Sequence, residues 1–345
     1  MLVALPPVPA DVAFPTEAWQ FADPPAGALR RGLPALVEQA VADPQPELES
    51  RTDALLVVHR GRIVAERYAA GIGPDDTQPS WSVAKSMLHA AVGILVRQDR
   101  LSILKSAAVP EWTGNGDPRA AITLDQLLHM TSGLRFVEDY VDDAVSDVIK
   151  MLFRPGADDT GAFAAAFPLD HLPDTVANYS SGTSNIISRM IRDMVGPHDA
   201  YSRFLRTELF DRIGMASASP RFDRSGSWIA SSFCFCTPRD FARFGLLYLR
   251  DGVWDGVRLL PEGWVDYART PAPAQAADTP NGYGAHWWLL GDDLGTFFGA
   301  GYLGQYIFVV PALDVVVVRN GQTPEERRQH PVALVRRIID TFRAE

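Results

Sequence analysis

Strand-like segments occur near both ends of this 345-residue chain, and helix-like segments fill most of the sequence between them. Runs rich in β-branched and apolar residues, the pattern typical of strands, lie at 54–59, 63–68, 284–290, 305–310 and 315–319. An amphipathic helix is predicted after them, at 332–344. We therefore predict an α+β fold in which both chain ends contribute to one antiparallel sheet flanked by helices.

The middle of the chain is predicted to form a second, mostly helical domain. Helical apolar spacing appears at 28–41 near the start and, in the middle, at 124–130, 145–153, 184–194, 201–213 and 239–249. We expect a sheet domain of residues 1–80 and 281–345 and a helical domain of residues 81–280, with the active site where they meet. Residues 155–173 have weak periodicity, and we interpret them as a mobile flap.

Composition narrows the classes of partner. A net charge of −10 and an isoelectric point near 5.2 argue against nucleic acid and anionic membrane surfaces. No apolar run approaches the roughly 18–20 residues that span a bilayer, and the start lacks the pattern of a secretory signal. Two cysteines, Cys234 and Cys236, do not suggest a disulfide framework. We predict a cytoplasmic enzyme with a small-molecule substrate; no pattern predicts an oligomeric state.

A Ser-x-x-Lys step opens the apolar segment 83–96. Ser82 and Lys85 stand three residues apart at the start of a predicted helix. Residues at this spacing share a helix face, with Cβ atoms about 5–6 Å apart, so the amine can reach the hydroxyl. A serine hydroxyl is a weak nucleophile until a neighbouring base takes its proton. We therefore predict Ser82 as the nucleophile and Lys85 as its partner.

The motif occurs a second time, at Ser102 and Lys105, where the flanking residues read as the end of a helix and a loop. We interpret that copy as chance. Only three of the 32 basic residues are lysines. Arginine stays protonated and cannot act as a base, whereas a desolvated lysine can lose its proton near neutral pH. A lysine at position 85 therefore suits a proton-transfer role, and its apolar flanks Val83, Ala84, Met87 and Leu88 argue against a leftover surface lysine.

Two further segments carry candidate chemistry. Tyr179 precedes a second predicted helix; alone it reads as a packed aromatic residue, but a nearby lysine charge can lower the pKa of a phenol and make it a base. The segment 299–301 is rich in small residues and lets backbone N–H groups approach a ligand, although by itself it also reads as an ordinary turn. With it, the N–H groups of Ser82 and Tyr302 can form an oxyanion hole.

Other signals are weaker. Residues 138–143 read either as a solvated acidic loop or as a substrate rim. Neighbouring residues of a strand face opposite sides of the sheet, so one of Trp287 and Trp288 is core and the other lines a pocket; we assign Trp287 to the substrate site. The sequence has no Gly-x-Ser-x-Gly elbow and no P-loop. Its seven histidines lack metal-ligand spacing, so we predict no metal.

Taken together, Ser82-x-x-Lys85, the segment 179–181 and the segment 299–301 stand in the order of the β-lactamase and penicillin-binding-protein superfamily. Residues 122–134 resemble its class C and esterase branch, and the likeness extends to 14–19 and 301–305. The chain most resembles 6-aminohexanoate-dimer hydrolases and related carboxylesterases. The resemblance implies a β-lactamase/transpeptidase-like fold and a cofactor-free serine hydrolase.

The resemblance also implies roles for individual residues. Ser82 would be acylated, Lys85 and Tyr179 would transfer protons, and the amides of Ser82 and Tyr302 would form the oxyanion hole. Tyr140 would contact the substrate. We place Ser181 and Gly301 in the substrate site as well.

The chain departs from the superfamily at two points. Ser181 stands where β-lactamases usually carry asparagine, and residues 299–300 supply neither the cation nor the hydroxyl of the usual third motif. A carboxylesterase or linear-amide hydrolase fits better than an efficient β-lactamase. A weak β-lactamase and a non-catalytic binding or sensor domain of the same fold stay open as alternatives.

Overall fold

The computed structural model describes residues 2–42, 49–140, 142, 144–275 and 282–343. The helices are α1 Ala26–Arg30, α2 Leu33–Ala42, α3 Val83–Arg97, α4 Leu124–Leu128, α5 Asp147–Phe153, α6 Thr160–Ala165, α7 Ser181–Val195, α8 Asp199–Leu205, α9 Pro238–Leu249, α10 Trp264–Ala268 and α11 Gln329–Asp340. The strands are β1 Arg51–His59, β2 Arg62–Tyr68, β3 Gln78–Pro79, β4 Ser219–Pro220, β5 Cys234–Cys236, β6 Val253–Trp254, β7 Val257–Arg258, β8 Trp288–Leu289, β9 Phe297–Gly301, β10 Gln305–Val310 and β11 Val315–Gln322.

The central sheet joins strands from the two ends of the chain. Its order is β2-β1-β11-β10-β9-β8, and every neighbouring pair is antiparallel. The seam between the two ends is the β1–β11 pair, in which Val57 lies opposite Val317. This confirms the predicted α+β fold with one sheet built from distant parts of the sequence.

Helices cover both faces of the sheet, and the four consecutive valines of β11 show how. Alternate side chains of a strand point to opposite faces. Val315 and Val317 pack in the cluster that includes residues of α2 and α11, whereas Val316 and Val318 pack in the cluster that includes residues of α3 and α9. All four are fully buried. An uninterrupted apolar run is therefore what a strand between two helical layers requires.

The helix α9 packs across the predicted boundary between the helical domain and the sheet domain. This helix lies within the segment 81–280, yet it packs on β10 and β11. Gly245 brings it close, because a Cβ at that position would stand 2.7 Å from Val316 Cγ1 and 2.8 Å from Ile307 Cγ2. The division of the chain into two domains stays a prediction.

Three predicted elements differ from the structure. The helix expected at 28–41 is split into α1 and α2 at Gly32, which adopts φ +82° and ends α1. The strand expected at 284–290 is only two residues long, because Gly284 N–H donates to Trp287 O in a turn. The segment 155–173 is not simply a flap: α6 packs on α7, using small residues that carry little hydrophobic signal.

No helix in the described ranges combines the length and the apolar character needed to cross a membrane.

Candidate active site

The predicted nucleophile lies at the point where α3 begins. Ser82 is the residue before α3, and the segment leading to it is held by Ser80, whose N–H donates to Cys234 O and whose hydroxyl accepts from Cys234 N–H. Trp81 has φ +43°, a conformation that is strained for a bulky residue. The hydrogen bonds of Ser80 thus fix the segment through which the chain enters α3 at Ser82.

Lys85 lies one turn further on, and its amine points at Ser82. The helix carrying it is buried almost throughout, and the lysine itself is 1% exposed. Lys85 Nζ is 2.9 Å from Ser82 Oγ, 3.0 Å from Ser181 Oγ and 2.9 Å from Ser231 O. Burial lowers the pKa of Lys85 to about 8, while the carboxylate of Glu138 opposes the shift. A lysine in this setting can lose its proton close to neutral pH.

The second copy of the motif has a different setting. Ser102 and Lys105 lie in the turn after α3, and Lys105 is exposed. This solvent-exposed position agrees with the interpretation of the second copy as chance.

Tyr179 closes the site on the side of α7. Lys85 Nζ lies 4.9 Å from the centre of its ring, and its phenol interacts with the Ser82 hydroxyl. Burial, followed by the charge of Glu138, raises the pKa of Tyr179. The expectation that the lysine charge would lower this pKa is therefore wrong. Tyr179 is a neutral phenol here, able to donate a proton and unable to act as a standing base.

The backbone N–H groups of Ser82 and Tyr302 are the predicted oxyanion donors. Neither the N–H of Ser82 nor that of Tyr302 donates to any described group. A Cβ on Gly301 would lie 2.3 Å from Ser80 O and 3.0 Å from Trp81 Cβ, so β9 approaches the nucleophile segment as closely as its backbone allows. The glycine thus lets the β9–β10 hairpin pack against the segment that leads to Ser82, where the ring of Tyr302 meets Trp81. Backbone N–H groups without a partner are the donors that an oxyanion hole uses.

Aromatic rings line the site. Tyr140 stacks on Tyr302 with ring centres 4.7 Å apart, and Trp81 meets Tyr302 edge-on at 5.3 Å and Phe233 at 5.6 Å. On the other side, Tyr179 packs on Trp288 and Tyr283. The walls beside Ser82 are therefore apolar and suited to uncharged chains.

The assignment of Trp287 to the substrate site is corrected by the structure. Trp287 is fully buried and packs on Phe244, Tyr248 and Phe297. The ring at the site belongs to Trp288, which is partly exposed and 5.1 Å from the ring of Tyr179. Strand alternation predicts opposite faces for the two rings but does not say which face is the core.

Glu138 is a charged residue at the site that the sequence analysis missed, besides Trp288 and Ser231. Its carboxylate accepts from the Ser181 N–H at 2.7 Å and from the Ser181 hydroxyl at 2.5 Å. Burial raises the pKa of Glu138, and the nearby Lys85 opposes that rise. The sequence shows only an acidic residue two positions before Tyr140 in a loop, with nothing to indicate that its carboxylate is enclosed.

The structure thus brings Ser82, Lys85, Tyr179, Ser181 and Tyr302 into one site, with Tyr140 against Tyr302. Among the described residues, no group of three or more His, Cys, Asp or Glu side chains is arranged to hold a metal ion. The constellation of a serine, a desolvated amine, a phenol and two free N–H groups is suited to acyl transfer.

Comparisons with known proteins agree with this geometry. A 6-aminohexanoate-dimer hydrolase from Paenarthrobacter ureafaciens is 29% identical over 349 residues, which cover 92% of this chain and 88% of that protein. A solved Bacillus anthracis structure, provisionally assigned as a 6-aminohexanoate-dimer hydrolase, has a TM-score of 0.74 at 23% identity and covers 99% of this chain and 90% of that one. A D-stereospecific amidohydrolase from Streptomyces sp. has a TM-score of 0.65 at 18% identity and covers 89% and 98%.

These structures share the fold, and the resemblance stated from the motifs is confirmed. The profile of the beta-lactamase family matches residues 35–337, which is most of the chain. The chain therefore belongs to the beta-lactamase family.

Proposed function

We propose that the protein is a serine hydrolase that forms an acyl-enzyme at Ser82 and acts on small esters or linear amides. The observation that carries the proposal is the buried Lys85 amine, 2.9 Å from the Ser82 hydroxyl and with a pKa lowered to about 8. This is the arrangement of a base next to a weak nucleophile.

In the first half-reaction, the Ser82 oxygen attacks the substrate carbonyl carbon and its proton passes to neutral Lys85. The N–H groups of Ser82 and Tyr302 stabilise the oxyanion. Collapse of the tetrahedral intermediate breaks the ester or amide bond, and the leaving oxygen or nitrogen takes a proton from Tyr179, which recovers one from Lys85. Water then attacks the acyl-enzyme, and the same groups release the acid and restore Ser82.

The apolar walls favour small neutral substrates over β-lactams. Gly299 and Ala300 offer no cation or hydroxyl for a carboxylate. The Lys85 amine already hydrogen-bonds to Ser82, Ser181 and the Ser231 carbonyl, so it is not available to bind a substrate carboxylate. The names of the Paenarthrobacter and Streptomyces relatives support amide bonds as substrates. The free thiols of Cys234 and Cys236 support a reducing compartment such as the cytoplasm as the working location.

A fluorophosphonate probe tests the nucleophile directly. Intact-protein mass spectrometry should find one adduct on the wild-type chain, none on Ser82→Ala, and one on Ser102→Ala. The last variant is a matched control, since it removes the serine of the second Ser-x-x-Lys copy. An adduct that survives in Ser82→Ala would reject the assignment.

A substrate panel separates the activities. We expect turnover of p-nitrophenyl butyrate or of the 6-aminohexanoate linear dimer, and slow or no turnover of a chromogenic cephalosporin. Fast cephalosporin hydrolysis would favour a β-lactamase instead. Absence of both adduct and turnover would favour a binding or sensor domain.

A further inference from the structure

Glu138 determines which way the Ser181 hydroxyl points. Ser181 is the first residue of α7, and both of its polar hydrogens go to the carboxylate, the N–H to Oε2 at 2.7 Å and the hydroxyl to Oε1 at 2.5 Å. An ionised carboxylate only accepts hydrogen bonds, and the start of a helix favours its negative charge. Because a hydroxyl has a single hydrogen, the Ser181 oxygen faces Lys85, 3.0 Å away, as an acceptor only.

The second neighbour of the Lys85 amine is also purely an acceptor. The carbonyl oxygen of Ser231 lies 2.9 Å from Nζ. A neutral amine has two hydrogens and one lone pair. When both hydrogens go to Ser181 and Ser231, the lone pair is left for the third neighbour, the Ser82 hydroxyl at 2.9 Å.

We propose that Glu138 is a positioning residue that holds the hydroxyl hydrogen of Ser181 and so turns the lone pair of neutral Lys85 toward Ser82. The inference rests on the proposed function, since it explains how the base of that reaction is aimed. Glu138 itself need not touch the substrate.

The charges around Lys85 determine its pKa, so the role of Glu138 can be measured in a pH–rate profile. The groups that face the amine are Ser82 just before α3, Ser181 on α7, the Ser231 carbonyl, the ring of Tyr179, and Glu138. Burial lowers the pKa of nearby His286 to about 3, so that ring is neutral, and Tyr179 is a neutral phenol. Among the described side chains, Glu138 is the charge that raises the pKa of Lys85 against its burial.

Replacing the carboxylate with an amide should therefore have two effects. In Glu138→Gln, the amide oxygen can still accept from the Ser181 N–H, but its NH₂ donates to the Ser181 oxygen and frees the hydroxyl hydrogen to occupy the Lys85 lone pair. We expect the plateau of kcat/KM for p-nitrophenyl butyrate to fall about tenfold to a hundredfold, part of the 10²–10⁴ that a general base supplies. The pKa of Lys85 should also fall, so the acidic limb of the pH profile should move below pH 8.

Two further variants complete the design. Asp139→Asn makes the same charge change at the next residue, which is exposed, and should leave both the plateau and the limb within twofold and a few tenths of a pH unit of the wild type. Ser181→Ala removes the intermediate group and should lower the plateau. The double variant Glu138→Gln/Ser181→Ala should lose no more than the worse single variant, because both act through one contact.

The outcomes separate this inference from the proposed function. A wild-type chain without a fluorophosphonate adduct would overturn both. If the wild-type chain is labelled but the acidic limb of the pH profile does not move in Glu138→Gln, only the positioning role is overturned. The same holds if the activity of Glu138→Gln falls together with its melting temperature while the limb stays in place. An equal shift in Asp139→Asn would also overturn it, by showing a general field effect. A shifted limb with additive losses in the double variant would reject the route through Ser181.

Discussion

At the scale of single residues, the proposed mechanism depends on a lysine whose ammonium form is destabilised by burial. Lys85 is buried, and the cost of burying its ammonium form outweighs the favourable charge of Glu138, so its pKa falls to about 8. Base catalysis needs the neutral amine. Activity should therefore rise with pH below about 8 and level off above it, as the amine loses its proton.

The variant Lys85→Arg tests this dependence. Arginine keeps the positive charge but does not deprotonate, so kcat/KM should fall by about 10²–10⁴. The acidic limb near pH 8 should disappear. Lys105→Arg, at the exposed lysine of the second Ser-x-x-Lys copy, serves as the control and should keep wild-type rates. A pH–rate profile of Lys85→Arg that keeps the wild-type limb would assign that limb to another group.

At the scale of elements, the site forms where the β9–β10 hairpin meets the start of α3. The backbone of β9 touches the residues before Ser82, and we expect this contact to hold the Tyr302 N–H near the Ser82 N–H. Only glycine permits this approach at position 301. The proposed oxyanion hole therefore depends on a contact between two elements separated by more than 200 residues in the sequence.

The substitution Gly301→Ala should move the hairpin away from α3. Its Cβ would lie 2.3 Å from Ser80 O, which is shorter than van der Waals contact allows, so Tyr302 should shift. We expect kcat to fall by about 10²–10³, the effect of losing one oxyanion donor. Gly114→Ala is the matched control, since that glycine is exposed and nothing lies closer than 4.0 Å to its added Cβ. Steady-state kinetics checks the pair. An unchanged kcat in Gly301→Ala would show that the hairpin does not position a needed donor.

At the scale of the whole molecule, one apolar core joins the sheet to the helices inserted into its sequence. Buried residues of β10 and β11 share a cluster with residues of α3, α7 and α9. Such a shared core couples the unfolding of the two parts. We expect them to unfold together despite the predicted domain division.

The contact of α9 with the sheet provides the test. Alanine in a helix interior is favoured over glycine by roughly 0.5–1 kcal/mol, but at Gly245 its Cβ would press on Val316 and Ile307, and overpacking typically costs about 1–3 kcal/mol. Gly245→Ala should therefore lower the free energy of unfolding by about 1–2 kcal/mol. Urea unfolding followed by circular dichroism and tryptophan fluorescence should give coincident curves that move together. Two separate transitions, with only one displaced, would contradict a shared core.

Much of the fold could be predicted because its signals are local. The run 315–319 reads as a buried strand since it begins with four consecutive valines, and the motif at Ser82 and Lys85 needs only helical spacing. Long-range decisions were less predictable. A turn closed by Gly284 shortened β8, and the left-handed Gly32 split a helix whose apolar spacing looked continuous.

The candidate site divides in the same way. Ser82, Lys85, Tyr179 and Tyr302 are identifiable from the sequence because each lies in a motif, and the structure brings them together while their roles stay predictions. Trp287 was placed wrongly because alternation does not tell which sheet face is the core. Glu138 was missed since an acidic residue in a loop looks solvated until its contact with Ser181 is known.

The sequence alone determined the layout of helices and strands, the pairing of a serine with a lysine one helical turn away, and the family likeness, because each depends on residues close together in the chain. Only the tertiary structure decided the protonation states of these groups and the directions of their hydrogen bonds. The pKa values of Lys85 and Tyr179 depend on burial and on Glu138, and the proposed oxyanion donors depend on the approach of β9 to the start of α3. Desolvation and hydrogen-bond direction arise from neighbours that are distant in sequence, so they exist only once the chain has folded.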